Sequence, residues 1–455
     1  MDVADIIAKV DSFIWGIPLM VLLVGTGLYL TVRTAFIQFR GFQHGIKVLR
    51  GQFDRVDDPG EVSPFRALAA ALSGTIGTGN IVGVAAAILV GGPGAVFWMW
   101  MTALVGMATK FACCALAVHF RRIDESGEAH GGPMHYIELG MGPSFQWLAV
   151  LFAVFTTMAS LGIGNMFQIN SVAAAVNVIL YGYDVPSSET VNLVVGLIAA
   201  SVVAIVILGG IKRIANVASK IVPFMCAFYI LAGLFILLKN AGAVSHGIGL
   251  IFQYAFTAPE SVTGGLLGGV IRSGVARGLF SNEAGLGSAA MAHGAARTRQ
   301  PIRQGMVAML GPFIDTIVVC TISALVIVCT GAYKTITIKG KLTSAAFDMG
   351  IPGAGMLVSL AIILFAFSTL ISWSYYGDRA VDYLFGRKAV VPYRWIYVGF
   401  VLLGAVIHLS VVIEFCDAMN GLMAIPNLIA LITLTPVLVS LTRRYVKRMR
   451  KDKRW

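Results

Sequence analysis

The stretch Ser73-Gly74-Thr75-Ile76-Gly77-Thr78-Gly79-Asn80-Ile81-Val82-Gly83 lies within an apolar run, 63–90, long enough to cross a bilayer. Four glycines and a cluster of hydroxyl and amide side chains predict a helix that cannot stay continuous at that depth. Opened backbone in hydrocarbon leaves amides and carbonyls without partners, so such a break survives only where it is buried in protein or lines a watery cavity. The break therefore predicts a binding site.

The composition makes the bilayer the solvent. Hydrophobic residues are 57% of the chain and charged residues 12%, against about 25% charged in soluble domains; the mean hydropathy is +0.83. Apolar runs predict about eleven spans, at 13–31, 63–90, 94–118, 145–178, 190–208, 213–238, 262–294, 304–330, 353–382, 393–412 and 416–441. Since about 20 residues suffice to cross, no separate soluble domain is expected, and the longest runs should tilt or break. Asp2, Asp5, Lys9 and Asp11 precede the first span, unlike the basic leader of a cleaved signal peptide, so that span is expected to persist.

Lys and Arg fill alternate connections, from Arg33 to Arg55 through to the tail Arg443 to Arg454, whereas the opposite connections carry Lys9, Lys239, Lys334, Lys339 and Lys341. The positive-inside rule then places the amino terminus outside and the carboxyl terminus in the cytoplasm of a plasma-membrane protein. The net charge of +12 is a topology signal and implies no nucleic-acid partner. Six cysteines, two of them the neighbours Cys113 and Cys114, have no metal-ligand spacing and read as buried inert thiols.

A second interrupted run turns a local oddity into an architecture. Gly274-Val275-Ala276-Arg277-Gly278-Leu279-Phe280-Ser281-Asn282-Glu283-Ala284-Gly285-Leu286-Gly287-Ser288 again sets glycines, charges and small polar residues in a span. With the first span set aside, the other ten divide into two sets of five, each beginning with a broken helix. Five is odd, so the second set enters from the opposite side, the inverted repeat whose broken helices meet at the midplane. The division is 1–62 for the extra helix and its cytoplasmic connector, 63–240 and 241–441 for the two repeats, and 442–455 for a basic tail. Either glycine-rich run alone is equally explained by close helix packing; the matched pair favours a transporter core.

The chain also resembles a known family. Thr75-Ile76-Gly77-Thr78-Gly79-Asn80-Ile81, Gly91-Gly92-Pro93-Gly94-Ala95-Val96-Phe97-Trp98-Met99-Trp100, Gly131-Gly132-Pro133-Met134, Val222-Pro223-Phe224-Met225, Phe280 through Ser288, Phe313-Ile314-Asp315-Thr316 and Trp373-Ser374-Tyr375-Tyr376-Gly377 look like the alanine or glycine:cation symporters. The match runs in order over nearly the whole chain. The resemblance implies an all-α LeuT-type fold preceded by one extra amino-terminal helix, with sodium-coupled uptake of small neutral amino acids. Many relatives carry a glutamate where this chain has Cys113, so no role of that acid transfers.

A zwitterionic amino acid needs donors for its carboxylate, acceptors for its ammonium and a cavity that rejects larger side chains. The break at Gly77 to Asn80 offers amides at one half-helix end and carbonyls at the other, with Thr75, Thr78 and Asn80 adding oxygens and an amide. Asn165 and Gln168, three apart in an apolar span, share a helix face and serve as substrate contacts or as helix ties. Trp373 reads as an aromatic wall or a packing residue; Ser273 and Gly278, near the second break, complete the substrate set. By resemblance, the sodium site is Ser368 and Thr369 with carbonyls of Ala71, Gly74 and Thr75. Arg272, Arg277, Glu283 and Asp315 are charges within spans that need partners or water. Glu283 or Asp315 as a proton carrier is the main alternative to sodium.

Other classes lack their chemistry. No phosphate loop and no H-E-x-x-H zinc motif occurs, and Gly77-x-Gly79-x-x-x-Gly83 has the wrong final spacing for a dinucleotide fingerprint, so no enzyme and no organic cofactor are expected. A channel stays open as an alternative, since broken helices also build selectivity filters.

Overall fold

The computed structural model describes residues 3–125, 127–182, 188–257, 267–407 and 410–452. Among them nine helical stretches are long and apolar enough to cross a membrane, and the bent pair Pro64–Thr75 and Thr78–Gly91 makes a tenth. The remaining expected span, 262–294, is divided into Leu267–Asn282 and Ser288–Gly294, of 16 and 7 residues. Each half is shorter than the roughly 20 residues a crossing needs, and the start of that run lies outside the described residues.

The first broken helix starts on Ser63, whose hydroxyl accepts from the amide of Arg66, followed by Pro64 where a missing N–H costs nothing. It stops after Thr75. Ile76 and Gly77 are extended, Thr78–Asn80 makes one short turn, and Val82–Gly91 resumes at 65° to the first half. The second helix stays regular through Ser273 and Gly278 and opens only at Glu283. Glu283, Gly285 and Gly287 have φ of 50°, 104° and 94°, a left-handed path that is strained at Glu283 and free at the glycines. The break thus lies further along than the glycine pattern suggests, because Gly274 and Gly278 serve packing. A Cβ on Gly278 would sit 2.1 Å from Thr102 Oγ1, and one on Gly274 2.2 Å from the Ala95 carbonyl oxygen.

The second broken helix lies along Ala95–His119, and the first packs on Gly210–Lys239 and Gly355–Phe385. Wide turns, Gly162–Met166 and Phe313–Cys320, interrupt two further spans beside the breaks. The extra amino-terminal span is two helices, Val3–Ile14 and Ile17–Arg33, hinged at Trp15 and Gly16. The last crossing ends near Thr433, and Thr435–Lys451 forms a separate helix, so the run read as 416–441 joins two elements.

Both ends of the broken pair are covered. On the arginine-rich side a parallel bridge links Val62 to Ala296. There Arg121 donates to the carbonyls of Pro59, Gly294, Ala296 and Thr298, at 2.8, 2.8, 2.5 and 2.7 Å. Beside it a hairpin, Arg122–Ile123 with Ala129–His130, is pinned to Gly355–Phe385 by His130 to Asp382 at 2.8 Å and Arg379 to Glu128 at 2.8 Å. The Asp382 hydrogen bond raises the pKa of His130, favouring its charged form. Opposite, Trp15 donates to the Asp417 carbonyl at 3.2 Å and its ring meets Phe280 edge-on at 6.2 Å.

Close packing of glycine against aromatic rings holds the core. A Cβ on Gly164 would lie 2.4 Å from Trp373 Cβ, whereas one on Gly249 meets nothing within 4 Å. Gly164→Ala should therefore destabilise the fold by about 1–3 kcal/mol, read as a lower thermal midpoint of purified protein in detergent. Gly249→Ala is the control and should hold or raise the midpoint; equal behaviour of the two contradicts this packing.

Candidate functional site

Between the two breaks lies a small cavity of about 30 Å³, room for roughly two waters. Gly74, Thr75, Gly77, Thr78 and Gly79 form one wall, and Phe280, Ser281 and Glu283 the facing one. Thr369 and Trp373, Gln168 and Asn420 close the remaining sides. Glycine is required here by approach rather than flexibility: a Cβ on Gly77 would be 2.9 Å from Thr369 Oγ1, and one on Gly74 2.9 Å from the Tyr376 hydroxyl.

The wall is chemically unfinished in a particular way. Thr78 Oγ1, Gln168 Oε1 and Asn420 Oδ1 are buried without a hydrogen-bond partner. Among the described residues no backbone carbonyl accepts from the amides of Thr78 or Gly79, which open the short turn. Unpaired polar groups of this kind cost about 1–3 kcal/mol each. The cavity thus presents free acceptors suited to an ammonium or a small cation and free donors suited to a carboxylate. Trp373 is 1% exposed, donates from Nε1 to the Gly74 carbonyl at 3.3 Å, and packs on Tyr376. Its indole forms one side of the cavity.

Behind the first break sits a buried polar knot. Asn80 Oδ1 accepts from the Gly77 amide at 2.9 Å, and its Nδ2 donates to Asp315 Oδ1 at 2.6 Å. Asp315 Oδ2 accepts from Ser281 at 2.9 Å and from Thr316 at 2.7 Å. Ser323 caps the Asn80 carbonyl at 2.8 Å. One carboxylate, fully buried, therefore ties the first break (Asn80) to the second (Ser281).

Several sequence-derived candidates occupy other places. Asn80 stands behind the cavity wall, because both ends of its amide are taken by Gly77 and Asp315. Asn165 and Gln168 are aimed at different places: Asn165, inside the wide turn Gly162–Met166, donates to the Tyr397 carbonyl at 2.8 Å, while Gln168, in the regular helix that follows, lines the cavity. Ser273 donates to the Ala87 carbonyl at 3.1 Å and, with Gly278, belongs to helix packing away from the site. Thr75 does line the cavity: its hydroxyl donates to the Ala71 carbonyl at 2.8 Å, which leaves its oxygen lone pairs free.

The hydroxyl pair lies where expected, against the first broken helix. Ser368 donates to the Ser73 carbonyl at 3.2 Å and Ser73 returns a bond to the Ser368 carbonyl at 2.7 Å. Thr369 donates to Phe365 in its own helix at 3.0 Å, which keeps its oxygen lone pairs free beside Gly77.

Other participants were not singled out from sequence. Lys110 is 4% exposed within the apolar helix Ala95–His119; a lone lysine in such a span was a usable signal. Asp378, also buried, pairs with Arg394 at 2.6 Å and joins two spans. Asn427 caps the Gly285 carbonyl at 2.7 Å and accepts from Tyr136, which contacts Cys113 at 3.6 Å. That chain connects position 113 to the second break, a link no spacing reveals.

Two discontinuous helices facing each other across a small polar cavity, with one carboxylate bonded beside both breaks, are the arrangement of a secondary transporter. The chain belongs to the sodium:alanine symporter family, whose description matches residues 1–455. It is 46% identical to an uncharacterized transporter of Haemophilus influenzae over 463 residues, covering 99% of this chain and 98% of the other. It is also 46% identical to the sodium/alanine symporter AgcS of Methanococcus maripaludis over 451 residues, covering 98% of each. A crystal structure of MhsT in complex with L-phenylalanine shares the fold, with a TM-score of 0.58 at 12% identity over 84% of this chain and 98% of that one. The LeuT-type architecture, the multi-pass membrane setting and a non-enzymatic role follow.

The knot gives a direct prediction. Asn80→Ala and Asp315→Ala should each lower amino-acid uptake in proteoliposomes at least tenfold, since each leaves a buried polar partner unmatched at about 1–3 kcal/mol. The double variant should lose little more than the worse single one. Additive losses, or near-normal uptake by Asn80→Ala and Gly79→Leu together, contradict this arrangement.

Proposed function

We propose that the chain is a sodium-coupled importer of small neutral amino acids, alanine and glycine foremost, working by alternating access. The observation that carries this reading is the cavity of about 30 Å³ whose lining offers unpaired acceptors and free amides at once. A small zwitterion satisfies both sets once the walls part to admit it, since the cavity in this conformer holds roughly two waters, and Trp373 on its wall limits the side chain that follows. The relative named as a sodium/alanine symporter supports the same substrate class.

In this reading the substrate carboxylate meets the amides of Thr78 and Gly79, and its ammonium meets Gln168 Oε1 and Asn420 Oδ1. Sodium, a hard cation wanting oxygen, takes the hydroxyls of Ser368 and Thr369 with carbonyls of the Ala71 to Thr75 segment. Bound together, the two cargoes tie the first broken helix to the spans that carry Gln168, Ser368, Thr369 and Asn420, which favours the closed conformer through contacts absent from the open ones. Opening then requires release of either the Arg121 and hairpin ties or the Trp15 and Phe280 cover. The arginine-rich face is assigned to the cytoplasm by the distribution of Lys and Arg.

A proton-coupled carrier is the second reading, favoured by Asp315, a buried carboxylate with no ion pair among the described residues. Two of its three partners, Ser281 and Thr316, are hydroxyls that donate to an ionised carboxylate or accept from a protonated one. Sodium ranks first on the relative named as a sodium/alanine symporter. A channel is disfavoured by the cover at both ends.

The test is alanine uptake into proteoliposomes against imposed gradients. An inward sodium gradient should drive accumulation, and Ser368→Ala and Thr369→Ala should each raise the sodium concentration for half-maximal uptake about tenfold or more, with the substrate profile kept. Accumulation driven equally by a proton gradient alone, with no sodium present, contradicts the proposal.

A further inference from the structure

We propose that the groove between the end of the first span and the carboxyl-terminal helix binds the headgroup of an anionic phospholipid. The groove has a volume of about 510 Å³ and is lined by Arg33, Arg40, Arg443, Lys447 and Arg450, with no acidic residue on its walls. None of the five is ion-paired among the described residues; Arg40 donates to the Ala35 carbonyl at 3.0 Å, and Arg33 lies 6.0 Å over the Tyr29 ring. Five cations crowded without counter-charge repel one another, and a shared anion relieves that repulsion.

The local structure gathers them. Residues 443, 447 and 450 fall on one face of Thr435–Lys451, while Leu438, Tyr445 and Met449 on the opposite side are buried and anchor the helix. Arg33 ends the first span, and the chain then reverses through Ala35 and Phe36, both left-handed with φ of 54° and 56°. Two consecutive non-glycine residues in that region are strained. The reversal carries Ile37–Arg40 back so that Arg40 lines the same groove as Arg33.

The surroundings identify the anion as part of a lipid. Val32, Phe36 and Phe39 beside the groove are 65%, 51% and 60% exposed, as side chains facing acyl chains are. Val21, Gly25 and Leu28, on the same helix face as Val32, line a second and apolar groove that runs up the span. It ends one helical turn from the basic one. A phosphodiester seated on the arginines, with chains lying along this apolar stripe, matches both features. Basic pockets of this kind at the membrane boundary are where acidic headgroups are held, and guanidinium forks suit phosphate oxygens.

The full-length protein, purified in a neutral detergent, is titrated with phosphatidylglycerol while its thermal midpoint is followed. Phosphatidylcholine and glycerol 3-phosphate are titrated in parallel. Phosphatidylglycerol should raise the midpoint saturably, and less so in high salt, while the other two leave it in place. Removing three cations with Arg443→Gln, Lys447→Gln and Arg450→Gln should raise the half-saturating concentration roughly a hundredfold. Arg33→Gln with Arg40→Gln should raise it roughly tenfold or more, and serves alone if the triple variant fails to fold. Arg444→Gln, off the groove, should change nothing. An equal shift with phosphatidylcholine overturns the proposal, as does unchanged affinity in either groove variant. An equal shift with glycerol 3-phosphate assigns the groove to a soluble anion and overturns it too.

Discussion

Backbone amides and carbonyls that leave a helix inside a bilayer must find partners within the protein, and the rest of this structure is arranged around two places where they do. At Ile76 to Asn80 and at Glu283 to Gly287 the chain abandons helical pairing. Side chains then take over: Asn80 caps Gly77, Ser323 caps Asn80, Thr343 caps Ile81 and Asn427 caps Gly285. Several groups that line the cavity stay open. Selective satisfaction of a broken backbone is what converts a structural liability into a site.

Asp315 stands at the centre of that arrangement. A carboxylate at this depth is costly unless every lone pair is engaged, and here it is bonded to side chains from both breaks and from its own helix. The widened turn that carries it, Phe313–Cys320, adds a residue to the helix and turns the carboxylate toward Asn80 and Ser281. The same device recurs at Gly162–Met166, where it aims Gln168 at the cavity and Asn165 at a neighbouring span.

Much of this was legible beforehand, for identifiable reasons. Glycine and threonine crowding at 74–80 marked the first break because few other causes place such residues at membrane depth. The second was displaced by several residues, since glycines that open a chain and glycines that let helices touch look alike in sequence; φ distinguishes Gly285 and Gly287 from Gly274 and Gly278. Gln168, Thr369 and Trp373 were found at the cavity, while Asn165 and Ser273 were not, because a wide turn and a helix interior respectively redirect them. The partnership of Asn80 with Asp315 spans 235 positions and leaves no local trace. The basic tail was visible as charge, but the groove it shares with Arg33 and Arg40 depends on a chain reversal at Ala35 and Phe36.

The central claim is that amino acid and sodium bind together where the two broken helices meet. Equilibrium binding of L-alanine to the purified protein, measured with sodium and with potassium at fixed pH, tests it most directly. Linkage requires that sodium tighten alanine and alanine tighten sodium by the same factor; the account predicts a factor of about ten or more in both directions, abolished in Asp315→Ala. Alanine affinity that is indifferent to sodium would contradict it.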